Sequence, residues 1–94
     1  MNADAARVVV LLDAGSIEGC HAAQALLADG CKVVATDMHA ADLVRIIYGQ
    51  RADNLLLLAA GPDQFGQVLA RARTRFGRVD AVIRPTQYPL PLSA

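Results

Sequence analysis

Ninety-four residues, 54% of them apolar, suit one domain with a single core, and nine basic against nine acidic side chains leave no net field to draw the chain to nucleic acid or an anionic membrane. Aromatic residues make up only 4% and tryptophan is absent, which excludes base-stacking platforms for single strands. The longest apolar runs, residues 7–12 and 54–60, fall far short of the roughly 20 residues that cross a bilayer, and the first seven residues lack the basic and apolar regions of an export signal. A cytoplasmic location is expected. Cys20 and Cys31 are too few and too widely spaced for a disulfide framework or a zinc site and read as small buried thiols.

Residues 7–12 form a short β-branched apolar run closed by Asp13-Ala14-Gly15-Ser16, the signature of a strand buried on both faces. Residues 17–28 switch to helical period, with Ala22, Ala25, Leu26 and Leu27 as the apolar stripe and Asp29-Gly30 as the stop. Residues 32–37 are again strand-like, so strand, helix and strand form a parallel βαβ unit with a right-handed crossover. A short helix is expected over residues 40–48, with Leu43, Ile46 and Ile47 on one side and Gly49 near its end.

The run 54–58 is leucine-rich, yet its brevity and the Gly61-Pro62 break favour a buried strand over a helix. Asp63 is placed to cap a helix reaching Phe76, with Phe65, Val68, Leu69, Ala72 and Phe76 on its apolar side and Gly77 closing it. Residues 79–83 supply a fourth strand, and the tail 84–94 carries three prolines that favour an extended course. The expected architecture is α/β: a single truncated Rossmann-like half-domain over residues 1–94. It is a three-layer sandwich whose four-stranded parallel sheet has the order 3-2-1-4, with about three helices.

The chain resembles the N-terminal half of the short-chain dehydrogenase/reductase family. The resemblance rests on residues 8–12, Gly15 and Gly19, Val33-Val-Ala-Thr-Asp37 and Phe76-Gly-Arg-Val-Asp80, with Tyr88-Pro-Leu-Pro91 after the fourth strand. The family fingerprint after the first strand is T-G-x-x-x-G-x-G, whose glycines let backbone donors approach a pyrophosphate. In that register Leu12 and Asp13 replace Thr-Gly, Ile17 replaces the second glycine, and only Gly19 remains. A carboxylate and a branched side chain there oppose an anionic ligand by charge and by bulk.

The resemblance implies that Gly15, Ser16, Gly19 and Asp37 are the residues toward a cofactor, with Asp37 toward an adenosine ribose and NAD favoured over NADP. On the residues alone, Gly15, Ser16 and Gly19 equally suit a tight strand-to-helix turn, and Asp37 an ordinary turn or capping role. The family's adenine-contacting Asp-Val is replaced by residues within Leu57-Leu-Ala-Ala-Gly61, and its Asn-Asn-Ala-Gly by Arg84-Pro-Thr-Gln87. No cofactor is therefore expected; NAD is the candidate if one binds.

The family's catalytic Ser, Tyr and Lys come from later elements that these residues do not contain, and neither Tyr48 nor Tyr88 has a lysine at the Tyr-x-x-x-Lys spacing. Cys20 and His21 are adjacent and face different ways, which disfavours a catalytic pair. Arg71, Arg75 and Arg78 read as a solvated helix face or a small anion-binding stripe. The fourth strand lacks the neighbour it has in the family. Pairing of its edge, at Val79, Ala81 and Ile83, together with the tail is therefore expected to give a homodimer or hetero-oligomer.

The leading functional expectation is a non-catalytic, oligomeric scaffold or interaction subunit. The alternatives are an NAD- or adenosine-binding or sensing module, half of an oxidoreductase completed by a partner chain, and a remnant without present chemistry.

Overall fold

A computed structural model describes residues 6–47 and 52–85. Parallel strands β1 (Val8–Leu11), β2 (Lys32–Asp37), β3 (Leu55–Ala59) and β4 (Ala81–Ile83) form one sheet in the order β3-β2-β1-β4. The helices are α1 (Ile17–Ala28), α2 (Ala40–Leu43) and α3 (Phe65–Phe76). This is the expected Rossmann-like α/β sandwich. Gly49, the Tyr residues at 48 and 88, and the tail beyond residue 85 lie outside the described residues.

Because side chains alternate across a strand, each apolar strand feeds two cores. Val9, Leu11, Val33 and Ala35 pack with Cys20, Ala23 and Leu26 of α1 and with Leu43 and Ile46. Val10 and Val34 pack on the opposite face with Val68 and Ala72 of α3. Both cysteines are buried free thiols. On α1 the stripe is rotated from the expected one: Ala23 is fully buried and Ala25 is exposed. The closely seated Gly19 and Cys20 at the start of the helix set which face meets the sheet.

Strands β1 and β3 lie within one residue of the expected ends, while three elements differ more from the sequence reading. The helix expected over 40–48 is a single α-turn, α2, that tightens into a 3-10 turn at Val44–Ile47, so Leu43 and Ile46 are buried and Ile47 is exposed. The helix after β3 begins later than expected and Asp63 does not cap it. Pro62 opens a 3-10 turn, Pro62–Gln64, and Gln64 Oε1 accepts the Gly61 N–H at 2.8 Å. Phe65, at the first helical position, is consequently half-exposed rather than core.

Strand β4 is shorter than residues 79–83. Val79 precedes it and packs into the α3-side core, so it is not an edge residue. The entry to β4 is fixed instead by Asp80, whose N–H donates to Val8 O at 2.8 Å and whose carboxylate accepts Val8 N–H at 2.7 Å and Arg78 Nε at 2.8 Å. The Val8 N–H bond, followed by the Arg78 guanidinium, holds the Asp80 carboxyl below its ordinary value of 3.8. A depressed folded-state pKa gives stabilisation that is present above the unfolded value and lost as pH falls through the folded value. Asp80→Asn is therefore expected to lower the melting temperature at neutral pH. Its difference from the parent should shrink as the medium is acidified below 3.8, which thermal melts across that range would read.

The arginines do not form one anion stripe. The helix ends at Phe76 with Gly77 left-handed at φ 90°, which takes Arg78 off the helical spacing. Arg75 donates to Asp53 O at 3.2 Å and lies over the Phe76 ring, and Arg78 also donates to Ala6 O at 3.2 Å, so both tie chain segments together. No helix among the described residues is long and apolar enough to cross a membrane.

Candidate functional site

In an open α/β sheet the loops beyond the carboxyl ends of the strands gather at the point where strand order reverses, here between β1 and β4. Those ends enclose a cavity of about 340 Å³. Leu12 and Asp13 reach it from β1, Thr36, Asp37 and Met38 from β2, Ala60, Gly61 and Pro62 from β3, Phe65 and Val68 from α3, and Arg84 from β4.

The turn from β1 into α1 is tied to Asp37. Gly15 N–H donates to Asp37 Oδ2 at 2.9 Å, and His39 N–H donates to Asp37 Oδ1 at 3.0 Å. The Asp37 side chain is 17% exposed, and Asp37 is part of the cavity wall. A Cβ on Gly15 would lie 2.6 Å from Asp37 Oδ2 and 2.7 Å from Asp42 Cβ, so the position has room only for glycine. Thr36, the one buried polar side chain among the described residues, donates its hydroxyl to Leu11 O at 3.3 Å and joins the ends of β1 and β2.

Of the four residues expected toward a cofactor, the structure brings Gly15 and Asp37 into direct contact and gives Ser16 and Gly19 to the helix start. Ser16 caps α1, its Oγ accepting Gly19 N–H at 2.9 Å and donating to Asp13 O at 3.0 Å. Ala14 N–H donates to Thr36 O at 2.9 Å and Ser16 N–H to Asp13 O at 3.3 Å. The backbone donors of Ala14, Gly15, Ser16 and Gly19 are thus all engaged within the chain. Glu18 adds negative charge to the first turn of α1, and Ile17 stands 63% exposed at its first position. None of the four backbone donors is left open to a pyrophosphate.

Asp13 keeps the left-handed backbone that suits a glycine, at φ 54°, and its carboxylate pairs with Arg84 across the mouth of the cavity. Two departures from the resembled pattern, at positions 71 residues apart, therefore partner one another. The sequence marked Arg84 only as a lost family position and Phe65 only as a core residue, did not mark Met38, and assigned none of the three to a site. The available signal was position, since each directly follows or overhangs a strand's carboxyl end.

Asp37, His39 and Asp42 bring one ligating atom each within 4.8 Å of one another. Both Asp37 oxygens already accept backbone N–H groups there, and His39 is largely exposed. Cys20 is buried while His21 points outward, so the two do not meet.

No protein-family model and no curated protein matches the sequence. Solved structures do. A short-chain dehydrogenase/reductase, glucose/ribitol dehydrogenase, from Brucella melitensis superposes with TM-score 0.73 at 26% identity, over 81% of this chain and 34% of that one. The 3-ketoacyl-(acyl-carrier-protein) reductase of the same organism, solved with NADH, gives TM-score 0.72 at 28% identity over 81% and 32%. A short-chain dehydrogenase from Streptomyces avermitilis gives 0.72 at 25% over 83% and 30%. The chain spans about one third of the length of these structures.

Proposed function

We propose that this chain, an N-terminal Rossmann unit of the short-chain dehydrogenase/reductase type, is a binding module for an adenine nucleoside and carries no chemistry of its own. The observation that supports this most is the cavity at the carboxyl ends of the strands with Asp37 in its wall. A partly exposed carboxylate whose position is fixed by two backbone N–H donors is a preorganised acceptor for the vicinal hydroxyls of a ribose. Met38, Pro62, Phe65 and Val68 offer an apolar wall for a base. The fold neighbours are oxidoreductases by name, and one is solved with NADH, so the ligand class follows the likeness while the reaction does not.

Calorimetric titration with adenosine tests the reading. Saturable binding is expected, weakened roughly tenfold to a hundredfold in Asp37→Asn, where one acceptor oxygen becomes a donor amide. Equal affinity in the two proteins would remove Asp37 from the site.

A second role, assembly through β4, is favoured by Val82. It pairs in register with Val10, faces the α3 side of the sheet beyond the cover of α3, and is 43% exposed. Ala81 and Ile83 are half-buried, so the exposed apolar surface of β4 is carried by Val82, and among the described residues the strand's outer edge has no paired strand. A scaffold or interaction subunit that pairs there would have a mass above that of one chain by light scattering, reduced in Val82→Lys. A monomeric mass for the parent protein at working concentration would remove this role.

A further inference from the structure

We infer that the cavity selects an uncharged nucleoside over its 5′-phosphate, through the Asp13–Arg84 pair and the engaged backbone donors of Gly15, Ser16 and Gly19. The inference deepens the nucleoside reading above and rests on it.

Strand order sets the orientation of the ligand. Asp37, at the end of β2, lies between the apolar wall beyond β3 and the Asp13–Arg84 pair beyond β1 and β4. A ribose diol on Asp37 with its base toward Pro62, Phe65 and Val68 directs the 5′ carbon toward that pair. The pair is half-exposed on both sides, 54% for Asp13 and 46% for Arg84, and it closes the wall where a phosphate would stand.

A phosphate arriving there meets three obstacles. The N–H groups of Gly15, Ser16 and Gly19 are already donated to Asp37, Asp13 and Ser16, so they offer no ready anion cradle. Arg84 is occupied by Asp13, and drawing it away leaves the Asp13 carboxylate unpaired beside the phosphate. Asp37 adds negative charge in the cavity wall, and Glu18 adds it in the first turn of α1. A cavity of about 340 Å³ lies within the range for small-molecule sites, about 300–1,000 Å³, and accommodates a nucleoside.

The test is parallel calorimetric titration of the parent chain and Asp13→Asn with adenosine and with adenosine 5′-monophosphate. Asparagine tolerates the left-handed backbone that Asp13 adopts and removes only the charge, so the variant is expected to fold. The parent should bind adenosine at least about tenfold more tightly than the monophosphate, and Asp13→Asn, with Arg84 released, should reduce that ratio by about tenfold. Equal or tighter binding of the monophosphate by the parent overturns the selectivity while leaving the nucleoside site standing. A ratio unchanged in Asp13→Asn overturns the role of the pair. Failure of adenosine itself to saturate the parent overturns the underlying nucleoside reading.

Discussion

Gly19→Ala is expected to lower stability by at least about 3 kcal/mol, a large share of the roughly 5–15 kcal/mol that holds a domain of this size together. A Cβ at residue 19 would lie 2.5 Å from Ala14 Cα and 2.6 Å from Asp13 O. Both are backbone atoms in the turn between β1 and α1, so no flexible side chain can swing aside. The turn is also pinned from beyond, through Ala14 N–H to Thr36 O and Gly15 N–H to Asp37. The strain would therefore separate α1 from the sheet or break the bonds that fix Asp37. Urea unfolding of the variant would show a lower midpoint with little change in slope, and a midpoint equal to the parent's would show that the turn has slack.

Leu43→Ala comes next, with an expected loss of about 2–5 kcal/mol. Leu43 is fully buried and closes α2 over the core that also holds Leu26, Ile46 and Ala35. With only one α-turn and a 3-10 turn in this segment, intrinsic helix formation contributes little, and the two buried side chains Leu43 and Ile46 seat it. The preceding residue, Asp42, brings its Cβ against Gly15, so a loosened segment would also loosen the wall of the cavity. A loss of stability with adenosine affinity retained would show that the seat of α2 and the site are independent.

The strands buried on both faces were the most legible part of the fold. In Val8-Val-Val-Leu11 and Val33-Val-Ala35, apolarity without helical period and the alternation of strands with helices point to parallel pairing, and the order β3-β2-β1-β4 is that of the Rossmann pattern. Boundaries set by one side chain were less legible. Pro62 shifted the start of α3 past Asp63, and Asp80 took over the entry to β4 with a side-chain bond to Val8 that no local pattern announces.

The site was half visible. Asp37 stood out by its place at the end of a strand, and Asp13 and Ile17 by their departure from the glycine fingerprint. That Gly15 is held by Asp37 and that Asp13 pairs with Arg84 depends on contacts 22 and 71 residues apart, which only the folded sheet creates. Those long-range contacts tie the turn after β1 to the ends of β2 and β4.

The most direct test of the account is to follow the backbone amide resonances of the isotopically labelled chain during addition of adenosine. Binding at the proposed site shifts Gly15, Met38, Gly61 and Phe65 together along one saturating curve and leaves Val82 and the α1 face at Gln24 unmoved. Shifts confined to β4, or none at adenosine concentrations in the millimolar range (~4 kcal/mol of binding), would contradict it.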